Sequence, residues 1–104
     1  MENKIKAQTF VGFAIRARKC KIGTNASATL KKANLVIVCH TASENTKAEA
    51  DKLAKKFNCP ALETVSVTLE EITHKENAKV MAISDRQLSL AILNSSEKDF
   101  NVRN

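Results

Sequence analysis

The chain has 104 residues, 43% of them hydrophobic and 27% charged, and a formal net charge of +6. A chain this long can bury roughly 60 to 70% of its unfolded surface, so it supports one domain with one core and leaves no room for a second. No apolar run approaches the roughly 18 residues of a membrane span, and Met1-Glu2-Asn3-Lys4-Ile5 lacks the apolar stretch of a signal peptide. A cytoplasmic protein without membrane contact is expected.

The charge is uneven. Residues 1–40 hold eight bases and one acid, a net of +7, whereas residues 41–104 hold nine bases and ten acids, a net of −1. A dense positive field attracts polyanions, so nucleic acid, and RNA first, is the expected partner. A solvated, merely solubilising face is the plainer alternative. The three cysteines, Cys20, Cys39 and Cys59, are odd in number and widely spaced. That suits neither a disulfide framework nor a thiolate metal knuckle, and no metal or cofactor is expected.

In chain order, Phe10, Phe13, Ala14 and Ala17 recur at helical spacing with Val11 and Ile15 beside them, which predicts a helix over roughly 7–18. Its end gathers Arg16, Arg18 and Lys19, where cations complement the helix dipole. A short strand around Cys20-Lys21-Ile22 is possible. Gly23 and Thr24 then cap a second helix running to about Lys32. Leu35-Val36-Ile37-Val38-Cys39 is a continuous aliphatic run, the pattern of a strand covered on both faces, and Cys39 reads as a small core residue.

Thr41 or Ser43 caps the next helix, in which Ala50, Ala54 and Phe57 share a face with Leu53 beside it and Lys47 at its margin. Asn58-Cys59-Pro60 stops it, because proline disfavours helical geometry in the residue before it. Residues 61–66 form a second strand in which Glu63 marks an edge or a strand end. Thr68 and Glu71 have capping-box spacing for a short helix with Leu69 and Ile72. Lys79-Val80-Met81-Ala82-Ile83-Ser84 is a further strand, Asp85 caps a last helix carrying Leu88, Leu90, Ala91 and Ile92, and residues 95–104 read as a frayed polar tail. The alternation predicts an α/β fold with helices on both faces of a sheet.

Several phrases stand in a telling order: Phe10-Val11-Gly12-Phe13-Ala14-Ile15-Arg16-Ala17-Arg18-Lys19, Gly23-Thr24-Asn25, Ala33-Asn34-Leu35-Val36-Ile37-Val38, Ala42-Ser43-Glu44-Asn45-Thr46-Lys47, Asn58-Cys59-Pro60, and Thr68-Leu69-Glu70-Glu71-Ile72 before Val80-Met81-Ala82-Ile83-Ser84-Asp85. Over roughly residues 8–93 the chain resembles the ribosomal L7Ae, L30e and Gadd45-type RNA-binding proteins, in particular the short L7Ae-like proteins of Gram-positive bacteria. The resemblance implies a three-layer alpha-beta-alpha sandwich with a mixed, about four-stranded sheet. It also implies a ribosome-associated ribonucleoprotein component that binds kink-turn or ribosomal RNA; a monomer is expected, with the oligomeric state left open by the sequence. In kink-turn binders of this kind an Asn and a Glu read sheared G·A pairs, with a Lys one turn later. Asn25 matches the Asn, while Ala26 and Thr29 stand at the other two positions.

From the residues themselves, Arg16, Arg18, Lys19, Lys21, Lys31 and Lys32 are candidate phosphate contacts. Gly23 and Thr24 offer backbone donors, Asn25 offers an amide for a base edge or ribose, and Ser43 follows the central strand where ligands approach α/β sheets. Catalysis is not expected. No Gly-rich phosphate loop or paired carboxylates are present, and Cys39 and His40, adjacent on a strand, point to opposite faces. Without Trp or Tyr, and with Phe10, Phe13 and Phe57 on helical apolar faces, base stacking is a lesser expectation. Phe100 is the aromatic expected to be exposed. A structural or protein-interaction module of the same fold is the alternative function.

Overall fold

The computed structural model describes residues 6–65, 67–94 and 100–103. The elements in chain order are α1 (Lys6–Arg16), β1 (Cys20–Ile22), α2 (Thr24–Ala28), β2 (Leu35–Val38), α3 (Glu44–Phe57), β3 (Ala61–Thr64), α4 (Leu69–Thr73), β4 (Val80–Ile83), α5 (Arg86–Asn94) and β5 (Phe100–Val102). The strands form one mixed sheet in the order β1-β4-β2-β3-β5. β2 and β3 are parallel, and the other three pairings are antiparallel.

β2 carries four aliphatic residues because both of its faces are covered. Leu35, Ile37 and the following Cys39 join Val11, Ala14, Leu62, Leu69, Met81, Ile83 and Ile92 in one core, beneath α1, α4 and α5. Val36 and Val38 join Ala50, Leu53, Ala54, Ala61, Val80 and Ala82 in the other, beneath α2 and α3. Alternation along each strand therefore feeds two cores from one sheet. The fold is the expected alpha-beta-alpha sandwich.

Caps set the element ends. Ser43 accepts the Thr46 N–H at 3.1 Å and begins α3, so the choice between Thr41 and Ser43 falls to Ser43. Asn58 ends α3 in the left-handed conformation immediately before Cys59 and Pro60. Thr68 and Glu71 close a reciprocal capping box on α4, and Asp85 accepts the Leu88 N–H at 2.9 Å at the start of α5. The Cys20–Ile22 strand is present, paired with Met81–Ile83.

Several expectations need correction. The second helix ends at Ala28 rather than near Lys32, because Thr29 Oγ1 donates to the Ala26 carbonyl at 2.6 Å and residues 30–34 must cross to the start of β2. β3 stops at Thr64, and the last expected position, Ser66, lies outside the described residues. Phe13 is 43% exposed, since the buried line of α1 runs through Val11 and Ala14. Glu63 is not at a sheet edge: β3 lies between β2 and β5, and Glu63 points toward α3, where Lys47 meets it at 3.4 Å.

The tail reading also changes. Positions 95–99, Asn104 and the start at 1–5 lie outside the described residues, but Phe100–Val102 adds a fifth strand, so the sheet exceeds the expected four. Phe100, expected to be exposed, is 2% exposed and joins the α1 core. Arg103 then clasps the strand to the opposite face: Nε and Nη2 donate to the two Asp51 carboxylate oxygens at 2.9 and 2.8 Å, and Nη1 donates to Glu63. The segment is only three residues long and follows a polar stretch of sequence, too short for periodicity to mark it.

Two outcomes follow for this strand. Phe100→Ala should lower stability by about 3 kcal/mol in denaturant unfolding and speed exchange of the Arg103 amide, which bonds the Ala61 carbonyl. The hydrogen bonds from Arg103, together with its charge, hold the Asp51 carboxyl below its ordinary value. A depressed folded value means the contribution is complete above the ordinary aspartate pKa of about 4 and is lost as pH falls through the folded value. Arg103→Gln should therefore lower Tm by about 4 °C at neutral pH. The gap from the parent should narrow in acid.

Candidate nucleic-acid interface

Strand register decides where the basic residues go. The Lys19 carbonyl accepts from the Ser84 N–H at 2.8 Å and from the Ser84 hydroxyl at 3.1 Å, and Cys20 pairs with Ile83. Three residues later the Gly23 N–H donates to the Val80 carbonyl at 2.7 Å. Lys19 and Gly23 thus flank opposite ends of β1, and β4 runs between them. The continuous basic block of the sequence is divided by this one short strand.

The Gly23 end holds Gly23, Thr24 and Asn25 together with Ser43, which follows β2 where the Cys39 N–H bonds the Lys79 carbonyl. Gly23 has φ 98°, a conformation that favours glycine and turns the chain from β1 into α2. Asn25 is exposed, but Ser43 is occupied as the cap of α3. Positive charge here is offset: Lys79 pairs with Glu70 at 3.1 Å and Lys47 with Glu63. Exposed Glu44, Glu71 and Glu76 add negative charge.

The Lys19 end is different. Arg18 and Lys19 enter β1 there, and Lys31 and Lys32 precede Asn34, whose N–H bonds the Ile83 carbonyl at 2.8 Å. α3 ends at the same place and brings Lys55 and Lys56, while α5 begins there with Arg86. Lys56 Nζ donates to the Ala28 carbonyl at 3.0 Å and ties α3 to the end of α2. Among the described residues none of these side chains has an ion-pair partner. The nearby carboxylate in sequence, Asp85, is engaged in capping α5.

Four of the six candidate phosphate contacts, Arg18, Lys19, Lys31 and Lys32, are therefore brought together, separate from Asn25. Lys21 is exposed on the outer edge of the sheet between the two ends. Arg16 lies apart, its guanidinium 5.3 Å from the Phe13 ring centroid, along an open groove of about 480 Å³ between α1 and α4. Lys55 and Lys56 on α3 and Arg86 on α5 were missed because each helix is amphipathic, and an exposed base on such a helix reads as solvated surface. The tertiary fold alone joins them to Lys31.

His40 has a structural role. Its backbone N–H donates to the buried Thr64 hydroxyl at 2.9 Å, and its Nδ1 lies 2.8 Å from the same oxygen. Cys39 Sγ accepts the Leu69 N–H at 3.4 Å on the other core. Among the described residues no cluster of His, Cys, Asp or Glu suits a metal ion, and no helix is long and apolar enough to cross a membrane.

No family model matches the chain, and no curated protein matches it. The chain is similar in structure to a protein with unknown function from Bacillus halodurans C, with a TM-score of 0.73 and 20% sequence identity, over 89% of this chain and 98% of that one. At that identity the likeness concerns the fold.

Thiol chemistry checks the packing around both ends. Burial pushes the Cys59 thiol up to about 11, and burial also raises that of Cys20, against the opposing charges of Lys21 and Lys75. Cys39 is fully buried. Iodoacetamide labelling of the native protein, read by peptide mass spectrometry, should modify Cys20 first, Cys59 more slowly and Cys39 only on unfolding.

Proposed function

We propose that this chain is a non-catalytic, cytoplasmic RNA-binding protein of the L7Ae-like kind, which holds structured RNA through the basic end of its sheet. The observation that carries this reading is the convergence of Arg18, Lys19, Lys31, Lys32, Lys55 and Arg86 without carboxylate partners among the described residues. Neighbouring cations without counter-ions add to one field over a screening length of about 8 Å at physiological ionic strength, and phosphate is the anion that repeats along a nucleic acid. The contacts position RNA through its backbone and carry little sequence information.

The kink-turn reading is a narrower proposal centred on Asn25, exposed at the other end of β1. Ala26 and Thr29 supply neither the carboxylate nor the ammonium of the family pattern, and Thr29 Oγ1 is turned back onto the Ala26 carbonyl. Structured ribosomal RNA held by its phosphates is the reading these residues favour. A protein-docking module would use exposed apolar surface, which among the described residues includes Phe13, Val65, Leu90 and Val102.

A titration of a kink-turn duplex and a straight duplex of equal length, at two salt concentrations, tests both readings. Binding should weaken steeply with salt, with a log–log slope of roughly 0.7 to 0.9 for each phosphate contact. The double substitution Lys31→Gln and Lys32→Gln should weaken both duplexes alike and reduce the slope by about 1.5, if each lysine holds one phosphate. Asn25→Ala should affect only the kink-turn, or neither. Absence of a complex at low salt would defeat the RNA reading.

A further inference from the structure

The end of the sheet that collects the unpaired cations also contains a cavity of about 220 Å³ between the end of α3 and the start of α5. Half-buried Phe57 and the exposed Leu90 give it apolar walls, and Asn34, Asn58, Arg86 and Ser89 line it with polar groups. The side-chain amides of Asn34 and Asn58 make no hydrogen bond among the described residues, and the Lys56 ammonium stands 5.2 Å from the Phe57 ring centroid.

Ser89 is the unusual member. It is 1% exposed, yet its Oγ has no hydrogen-bond partner among the described residues. A serine inside a helix ordinarily bonds the carbonyl one turn back or faces water, and leaving a buried hydroxyl unmatched lowers stability. An unmatched hydroxyl in the lining of a cavity is a group that a ligand there can satisfy.

We propose that this cavity receives a single unpaired nucleobase of the RNA held by the basic end, with Ser89 Oγ hydrogen-bonding the base edge. The inference rests on the RNA-binding reading above. A base is planar, apolar on its faces and polar at its rim, which matches a ring and an aliphatic wall combined with a hydroxyl and two free amides. The volume lies below the roughly 300 Å³ at which pockets for drug-sized ligands begin, so one base fits the space better than a dinucleotide. Arg86 lines the cavity, and Lys31 and Lys32 lie at the same end of the sheet, so the attached phosphate meets positive charge.

Two titrations test this. In the first, the four nucleoside 5′-monophosphates and ribose 5-phosphate are added separately to nitrogen-15-labelled protein. At least one base-bearing compound should move the Asn34 and Asn58 side-chain amide resonances, and ribose 5-phosphate should not. In the second, an RNA hairpin with one unpaired base should bind more tightly than the same hairpin with an abasic site. Ser89→Ala should reduce that preference by about tenfold while raising Tm by about 4 °C, because the unmatched hydroxyl is gone. Leu90→Glu, at an exposed position, should reduce it through a carboxylate beside the cavity. Equal affinity for the intact and abasic hairpins, with the salt dependence retained, would overturn the base pocket and leave the RNA-binding reading standing. Mononucleotide shifts without any hairpin complex would overturn the RNA-base assignment in favour of a free nucleotide. Silence in both titrations would defeat both readings.

Discussion

Burial of β2 on both faces is the constraint from which the rest of the molecule follows. Leu35, Val36, Ile37 and Val38 are each fully excluded from solvent, and their alternation requires a helical layer above and another below. α1, α4 and α5 supply one, α2 and α3 the other. With these layers fixed, every connecting segment emerges at one of two ends of the sheet, and the charged residues of those segments gather there. Segregation of charge in space is thus a product of topology rather than of local sequence.

β1 shows how sharply that operates. Only three residues long, it lies between Lys19, bonded to Ser84, and Gly23, bonded to Val80. A basic stretch that is continuous along the chain becomes two environments. One is neutralised by Glu70 and Glu63, and the other is reinforced by cations from α3 and α5. Asn25 and Lys31, only six positions apart, consequently belong to different surfaces.

Elements whose signal is local were legible. The aliphatic run of β2, the capping pair Thr68 and Glu71, Asp85 ahead of α5 and the stop at Asn58-Cys59-Pro60 each announce themselves within a few residues. β5 was not, because Phe100-Asn101-Val102 gains its place from pairing with β3 and from the reach of Arg103 to Asp51, partners far away in sequence. The site was half legible for the same reason. Lys31 and Lys32 stood out in a charge count, whereas Lys55, Lys56, Arg86 and the buried Ser89 come to one end of the sheet only because α3 ends where α5 begins.

The outermost strands of the sheet, β1 and β5, are each three residues long and have Lys21 and Asn101 at their centres. A short border with a polar middle offers a second molecule few free backbone groups in register, and in β1 it also sets lysine against lysine across any symmetric approach. Strand addition from a second copy would find only a three-residue ladder at either border.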